Sequence, residues 1–270
     1  MMIQVTNRCR MMCPHCMDDA TPDGGLMDFN TTFLNALKFA KTCGGMLLLS
    51  GGEPTEHPDF MNMCKEVSKW GFKFAVCTNG MWMFEPNQVY RFERIAKLSG
   101  FCGAQIYTNP KWYRLHDETV RKYEENRRKW TSLKVYLDIN DIRAMSDIGR
   151  AETCAKAIEE TEASTYHNMC LKTHVSAAQC NDLETFTQIL MYQGGFCKPL
   201  VDWEGNVHAS ESCLCQSFGN VNTELPGEIF DLIRAGRPCG KCIPCKRYLS
   251  EDDPKMVAAR RLLGQQKQGE

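Results

Sequence analysis

The chain of 270 residues has 43% hydrophobic residues and a formal charge of −1, apolar material enough for one large domain or a domain with an appendage. With no long basic or acidic run, nucleic acid and anionic membrane surfaces are excluded as charge-driven partners. No stretch reaches the roughly 18 continuous apolar residues of a spanning helix, and the start MMIQV is too short for a secretion signal, so a cytoplasmic protein is expected.

In chain order, MIQVT reads as a strand running straight into a polar loop, NRCRMMCPHCMDD. NTTFLNALKFAKTC has helical periodicity, with Asn30 or Thr31 as its cap. MLLLS is a continuous apolar run, as in a strand buried on both faces. DFMNMCKEVSKWG reads as a helix closing at Gly71, FKFAVCT as a strand, PNQVYRFERIAKLS as a helix and CGAQIYT as a strand. The charged DETVRKYEENRRKW follows as one helix and LKVYLDI as another strand. Beyond Asp141 the pattern predicts a helix over 151–162, a strand near 169–175 and a helix over 182–192.

This alternation predicts an α/β fold: a partial (β/α)6 TIM-like barrel over residues 1–195, short of the eight units of a closed one. Active groups of such folds sit on the loops after the strands' C-terminal ends. The cysteine loop, SGGEP (50–54), TNG (78–80) and TNPKW (108–112) are all such loops and converge on one rim. From about 196 the texture changes. LVDW and VHAS flank Glu204-Gly205-Asn206, a hairpin signal, and the helix PGEIFDLIRAG leads to CGKCIPC. Residues 196–250 read as a small metal-stapled, cysteine-rich domain, and 251–270 as a charged C-terminal helix and tail.

Sixteen cysteines are many for a chain in a reducing compartment, where clustered thiols bind metal rather than pair. Cys9, Cys13 and Cys16 gather at one end; Cys197, Cys213, Cys215, Cys239, Cys242 and Cys245 gather at the other. The seven between are scattered singly and read as small buried hydrophobes. The first group has the spacing Cys-x3-Cys-x2-Cys, and thiolates favour soft metals, iron–sulfur clusters first. A structural zinc would want four closed ligands, and His15, beside Cys16, is badly placed as the fourth. Three thiolates on a four-iron cluster leave one iron open to a substrate or cofactor.

At this point the sequence resembles the radical S-adenosylmethionine (SAM) superfamily, whose signature is Cys-x3-Cys-x-(aromatic)-Cys. The resemblance covers about residues 1–190 and implies that Cys9, Cys13 and Cys16 hold a SAM-binding [4Fe-4S] cluster and carry the catalysis. His15 takes the position of the aromatic residue that flanks the adenine. Gly51, Gly52, Glu53 and Pro54 match the family's GGEP segment, which binds the SAM amino group: glycines admit backbone carbonyls to an ammonium, and Glu53 adds compensating charge. Thr78 and Asn79 would lie near the SAM carboxylate or the substrate, Gln105 and Tyr107 near the ribose. Gly149-Arg150-Ala151 resembles a segment whose arginine, Arg150, approaches SAM. Reduction of such a cluster cleaves SAM to methionine and a 5′-deoxyadenosyl radical, which abstracts hydrogen from the substrate.

The C-terminal cysteines resemble the SPASM/Twitch extensions of this superfamily, which hold auxiliary [4Fe-4S] clusters. Six cysteines suffice for one fully ligated cluster, from Cys197, Cys213 and two of Cys239, Cys242 and Cys245, with Cys215 competing with Cys213; a four-cysteine zinc ribbon is the alternative. Such enzymes oxidise, crosslink or epimerise peptides, or dehydrogenate small metabolites, with an electron donor such as flavodoxin or ferredoxin. Cys9 lies so near the first residue that a peptide substrate would need a separate recognition protein or direct binding in the barrel. Trp82, Trp112, Tyr113 and Trp203 are candidates to line the substrate cavity. A glycyl-radical-enzyme activase is the alternative enzyme, although activases place their extra cysteines soon after the first motif.

Overall fold

A computed structural model describes residues 1–139, 180–186, 199–209 and 216–236. Five parallel strands follow in chain order: β1 (Met2–Gln4), β2 (Leu47–Ser50), β3 (Phe74–Thr78), β4 (Phe101–Thr108) and β5 (Val135–Ile139). Each crossover moves one place in the same direction, so the sheet is singly wound, as a partial barrel requires. A short antiparallel hairpin of β6 (Leu200–Val201) and β7 (Val207–His208) adds to the far side of β1, giving the order β5-β4-β3-β2-β1-β6-β7. β6 runs parallel to β1, Met2 against Leu200 and Ile3 against Val201.

One row of side chains crosses all seven strands in register: Val207, Val201, Ile3, Leu49, Val76, Ala104 and Val135. Every member is buried. Against this face pack α1 (Leu34–Cys43), α2 (Phe60–Lys69) and α3 (Pro86–Ile95), through Leu37, Phe39, Met63, Val67, Phe92 and Ile95. Each buried apolar side chain of this size contributes about 1.5–3 kcal/mol relative to exposure. The other face of the sheet carries Gln4, Ser50, Cys77, Gln105 and Tyr136. In β2, Leu48 and Ser50 are accordingly half-buried, so MLLLS is covered fully on one face only.

Local differences from the sequence reading have plain causes. The first helix opens earlier than Asn30, with a π-turn (Phe29–Phe33) capped by Asp28, whose Oδ1 accepts the Thr31 N–H at 2.7 Å. The charged helix is broken at Asn126 into α4 (His116–Glu125) and α5 (Arg127–Ser132), because Asn126, at φ −124°, leaves the helical region. Its Nδ2 donates to the freed carbonyl of Lys122. Residues 183–186 are helical and Asp182 caps them through Thr185, within the helix expected over 182–192. Near the end of the described residues, α6 (Pro226–Ala235) occupies the expected PGEIFDLIRAG segment. The elements expected over 151–162 and 169–175, and the tail, lie outside the described residues.

Candidate active site

The chain leaves β1 into the cysteine loop, and the loop folds back on its own start. Asn7 N–H donates to Gly25 O at 2.8 Å, Cys9 N–H to Thr21 O at 2.8 Å and Met27 N–H to Val5 O at 2.9 Å. A Cβ on Gly24 would stand 1.8 Å from Asn7 O, so this closure needs glycine there. Between the two legs, Cys9, Met11, Ala20 and Tyr113 form a small buried cluster, with Cys13, Cys16, Met81 and Leu115 packed against it.

The loop after β2 docks on the same segment. Gly52 N–H donates to Thr6 O and Glu53 N–H to Arg8 O, both at 2.8 Å. A Cβ on Gly51, at φ +150°, would lie 2.4 Å from Thr6 O, and one on Gly52 2.3 Å from Arg8 O. These glycines therefore admit the neighbouring strand end, a role the sequence reading assigned to a ligand ammonium. Pro54 opens a 3₁₀ turn (Pro54–Glu56). Arg10 fastens the loop from outside, with Nε on Glu56 at 3.0 Å and an Nη on Glu85 at 2.8 Å.

Glu53 is fully buried. Its Oε1 accepts Thr55 N–H at 3.1 Å, Thr55 Oγ1–H at 2.6 Å and Thr78 Oγ1–H at 2.8 Å; its Oε2 accepts Asn79 N–H at 2.7 Å. Burial pushes the carboxyl's pKa up against the pull of these donors. The carboxylate thus ties the loop after β2 to the loop after β3. Asn79 continues the tie: its Nδ2 stands 3.5 Å from Cys9 Sγ, and its carbonyl accepts the Tyr113 hydroxyl. The other expected residues that are described lie in the cysteine loop and on β4. His15 is half-buried within the cysteine loop. Gln105 and Tyr107 form a separate polar group on β4: Tyr107 OH donates to Gln105 Oε1 at 3.0 Å, and Gln105 Nε2 donates to Asp138 on β5 at 2.5 Å. Arg150, Cys197, Cys213, Cys215, Cys239, Cys242 and Cys245 lie outside the described residues.

Trp82 does not line a cavity. It is buried in the core, stacked on Phe92 with ring centroids 4.1 Å apart and edge-on to Trp130. Tyr113 packs in the buried cluster with Cys9, and its signal in the sequence was its place just after β4. Arg10 and Thr55 carried no pattern that would single them out.

The donor set fits an iron–sulfur cluster. Cys9, Cys13 and Cys16 carry thiols that are not joined in disulfides. Burial, with the charges of Glu53, Glu56 and Cys13 adding to it, pushes the Cys9 thiol up to about 12, so at neutral pH only a cation on the sulfur would make it a thiolate. Among the described residues no three His, Cys, Asp or Glu side chains close on one point as a single ion requires; cluster thiolates bind separate irons and stand apart. Arg8 Nε, in the same loop, is buried and without a hydrogen-bond partner among the described residues.

No family model matches the chain. It is similar to the tungsten-containing aldehyde ferredoxin oxidoreductase cofactor-modifying protein of Pyrococcus furiosus, 39% identical over 82 residues, 29% of this chain and 23% of that protein. It is also similar to the PqqA peptide cyclases of Ruegeria pomeroyi and Methylorubrum extorquens, each 30% identical over 83 residues, 30% of this chain and 22% of theirs. The chain thus matches less than a quarter of the length of these curated relatives. Among solved structures, Streptococcus suis SuiB bound to S-adenosylmethionine aligns with 94% of this chain and 74% of its own at 14% identity and a TM-score of 0.47. Three cysteines at this spacing, a GGEP loop and a TNG loop are thus held together on the rim of a singly wound parallel sheet.

Proposed function

We propose that the chain is a radical SAM enzyme that modifies a peptide, with Cys9, Cys13 and Cys16 holding a [4Fe-4S] cluster whose fourth iron takes SAM. The observation that carries this reading is the joining of three strand-end loops around Cys9 through Glu53, Thr78 and Asn79. Relatives named as peptide cyclases support a peptide as the substrate class. When bound and reduced, the cluster supplies the electron that cleaves SAM to methionine and a 5′-deoxyadenosyl radical, the species that takes hydrogen from substrate. The protein's own part is positional. The cysteine loop presents three thiols from a compact turn, and Tyr113 and Met11 bury Cys9 while Cys13 and Cys16 stay half-buried beside it. Glu53 fixes the GGEP and TNG loops in one geometry, and Arg10 holds the cysteine loop against the turn after Glu53. Cys197, Cys213 and two of Cys239, Cys242 and Cys245 would hold an auxiliary [4Fe-4S] cluster. A flavodoxin or ferredoxin would deliver electrons, and a separate recognition protein or the sheet's open face would receive the peptide.

The test is anaerobic incubation with SAM, a reductant and peptides encoded near this gene, read by mass spectrometry. Formation of 5′-deoxyadenosine is expected, with a peptide that has lost two hydrogens or taken one deuterium from heavy water. Joint replacement of Cys9, Cys13 and Cys16 by Ala should abolish 5′-deoxyadenosine; its persistence would overturn the reading.

A further inference from the structure

Asn79 is where the loops after β1, β2, β3 and β4 meet. Its backbone N–H donates to Glu53 Oε2 at 2.7 Å, and its carbonyl accepts the hydroxyl of Tyr113. Its side-chain Oδ1 accepts the Met81 N–H at 2.9 Å. That last bond fixes the amide. The oxygen must face the Met81 N–H, so the NH₂ group faces the opposite way, toward Cys9 Sγ at 3.5 Å. A side chain held at its backbone N–H, its carbonyl and its amide oxygen has little freedom to turn its donor elsewhere. Cys9 is also the most buried of the three thiols, so a hydrogen bond to its sulfur acts in a water-poor setting. Cys16 Sγ receives a comparable bond from the Ala20 backbone N–H at 3.4 Å, which no side-chain substitution can remove.

We infer that Asn79 sets the reduction potential of the cluster held at Cys9, by donating an N–H···S hydrogen bond to that ligand. The inference rests on the assignment of Cys9 as a cluster ligand in the proposed function. Reduction adds negative charge that is shared with the thiolate sulfurs. A donor already aimed at one of them stabilises the reduced form and raises the potential. Glu53, Met81 and Tyr113 supply the orientation in advance, so no reorganisation accompanies electron arrival.

The experiment is a redox titration of the anaerobically reconstituted full-length protein, followed by electron paramagnetic resonance. The N-terminal cluster is identified as the signal that changes on adding SAM. Wild type is compared with Asn79→Asp, which keeps an oxygen for the Met81 N–H and loses the donor, and with Asn79→Leu, which loses both. The expected result is wild-type iron content with a midpoint potential shifted negative in both variants, further in Asn79→Asp because of its added charge. Unchanged midpoints with iron retained would overturn the inference and leave the cluster assignment standing. Loss of iron from both variants would also overturn it, by making Asn79 a scaffold of the loop. A wild-type protein with no SAM-responsive cluster would overturn the proposed function itself.

Discussion

Glu53 shows how one side chain changes role between sequence and structure. Its place in GGEP suggests a charge offered to a ligand, yet the carboxylate is consumed by Thr55, Thr78 and Asn79. The neighbouring glycines make the same point, since both Cβ positions are blocked by the backbone of Thr6 and Arg8. Gly52→Ala should therefore destabilise the protein by about 2–3 kcal/mol through overpacking. Gly71→Ala is the control: that residue sits at φ +78° with nothing near its Cβ position, so only backbone strain of about 1–2 kcal/mol applies. Urea unfolding midpoints of the two variants test this, and equal losses would refute the close approach at Gly52. The three cysteines were legible because their chemistry lies in one short segment. The partners of Glu53 were not, because Thr78 and Asn79 come from a loop that only the fold brings near.

At the scale of elements, the strands and α-helices over the first 139 residues were legible from periodicity, whereas the 3₁₀ turns at Pro54–Glu56 and Met81–Phe84, the ends and the breaks were less so. Asp28 takes the cap from Asn30 and Thr31, and Asn126 splits a run whose composition is helical throughout. The β6–β7 hairpin was visible in Glu204-Gly205-Asn206, and Gly205 takes φ +90° in its turn. Its lock was not visible. His208 stands between two oxygens, Gln216 O at 2.8 Å from Nδ1 and Asp202 Oδ2 at 3.1 Å from Nε2. Burial alone would raise the Asp202 carboxyl, but hydrogen bonds from His208 and Asn206 outweigh it and hold the carboxyl below its usual value. A depressed carboxyl stabilises the fold fully above its unfolded pKa, about 3.9, and loses that contribution as pH falls through the folded value. Urea midpoints measured from pH 5 downward should thus fall more steeply in wild type than in Asp202→Asn. Parallel curves would separate the lock from acid unfolding.

At the scale of the whole molecule, the parallel order of β1 to β5 follows from strand–helix alternation and was readable. The attachment of β6 to β1 was not, since a pairing of two residues leaves no periodic trace. That attachment sets the described part of the cysteine-rich region against the strand that carries the active loop. If the C-terminal cysteines hold a second cluster, the reconstituted protein should carry about eight irons. Replacing Cys242 and Cys245 should reduce this to about four, and an unchanged count would reject those ligands. A zinc ribbon would give about four irons and one zinc instead.

The parallel neighbour on that side of β1 also orders events in time. During synthesis β2 is available to β1 early, but its other partner, β6, lies about 200 residues downstream. Until Leu200 and Val201 leave the ribosome, one edge of β1 stays bare, as does the base of the loop that follows it. The pairing of Ile3 with Val201 therefore makes the final setting of that loop a late event, and chains cut before Leu200 would present their thiols on an unfinished support.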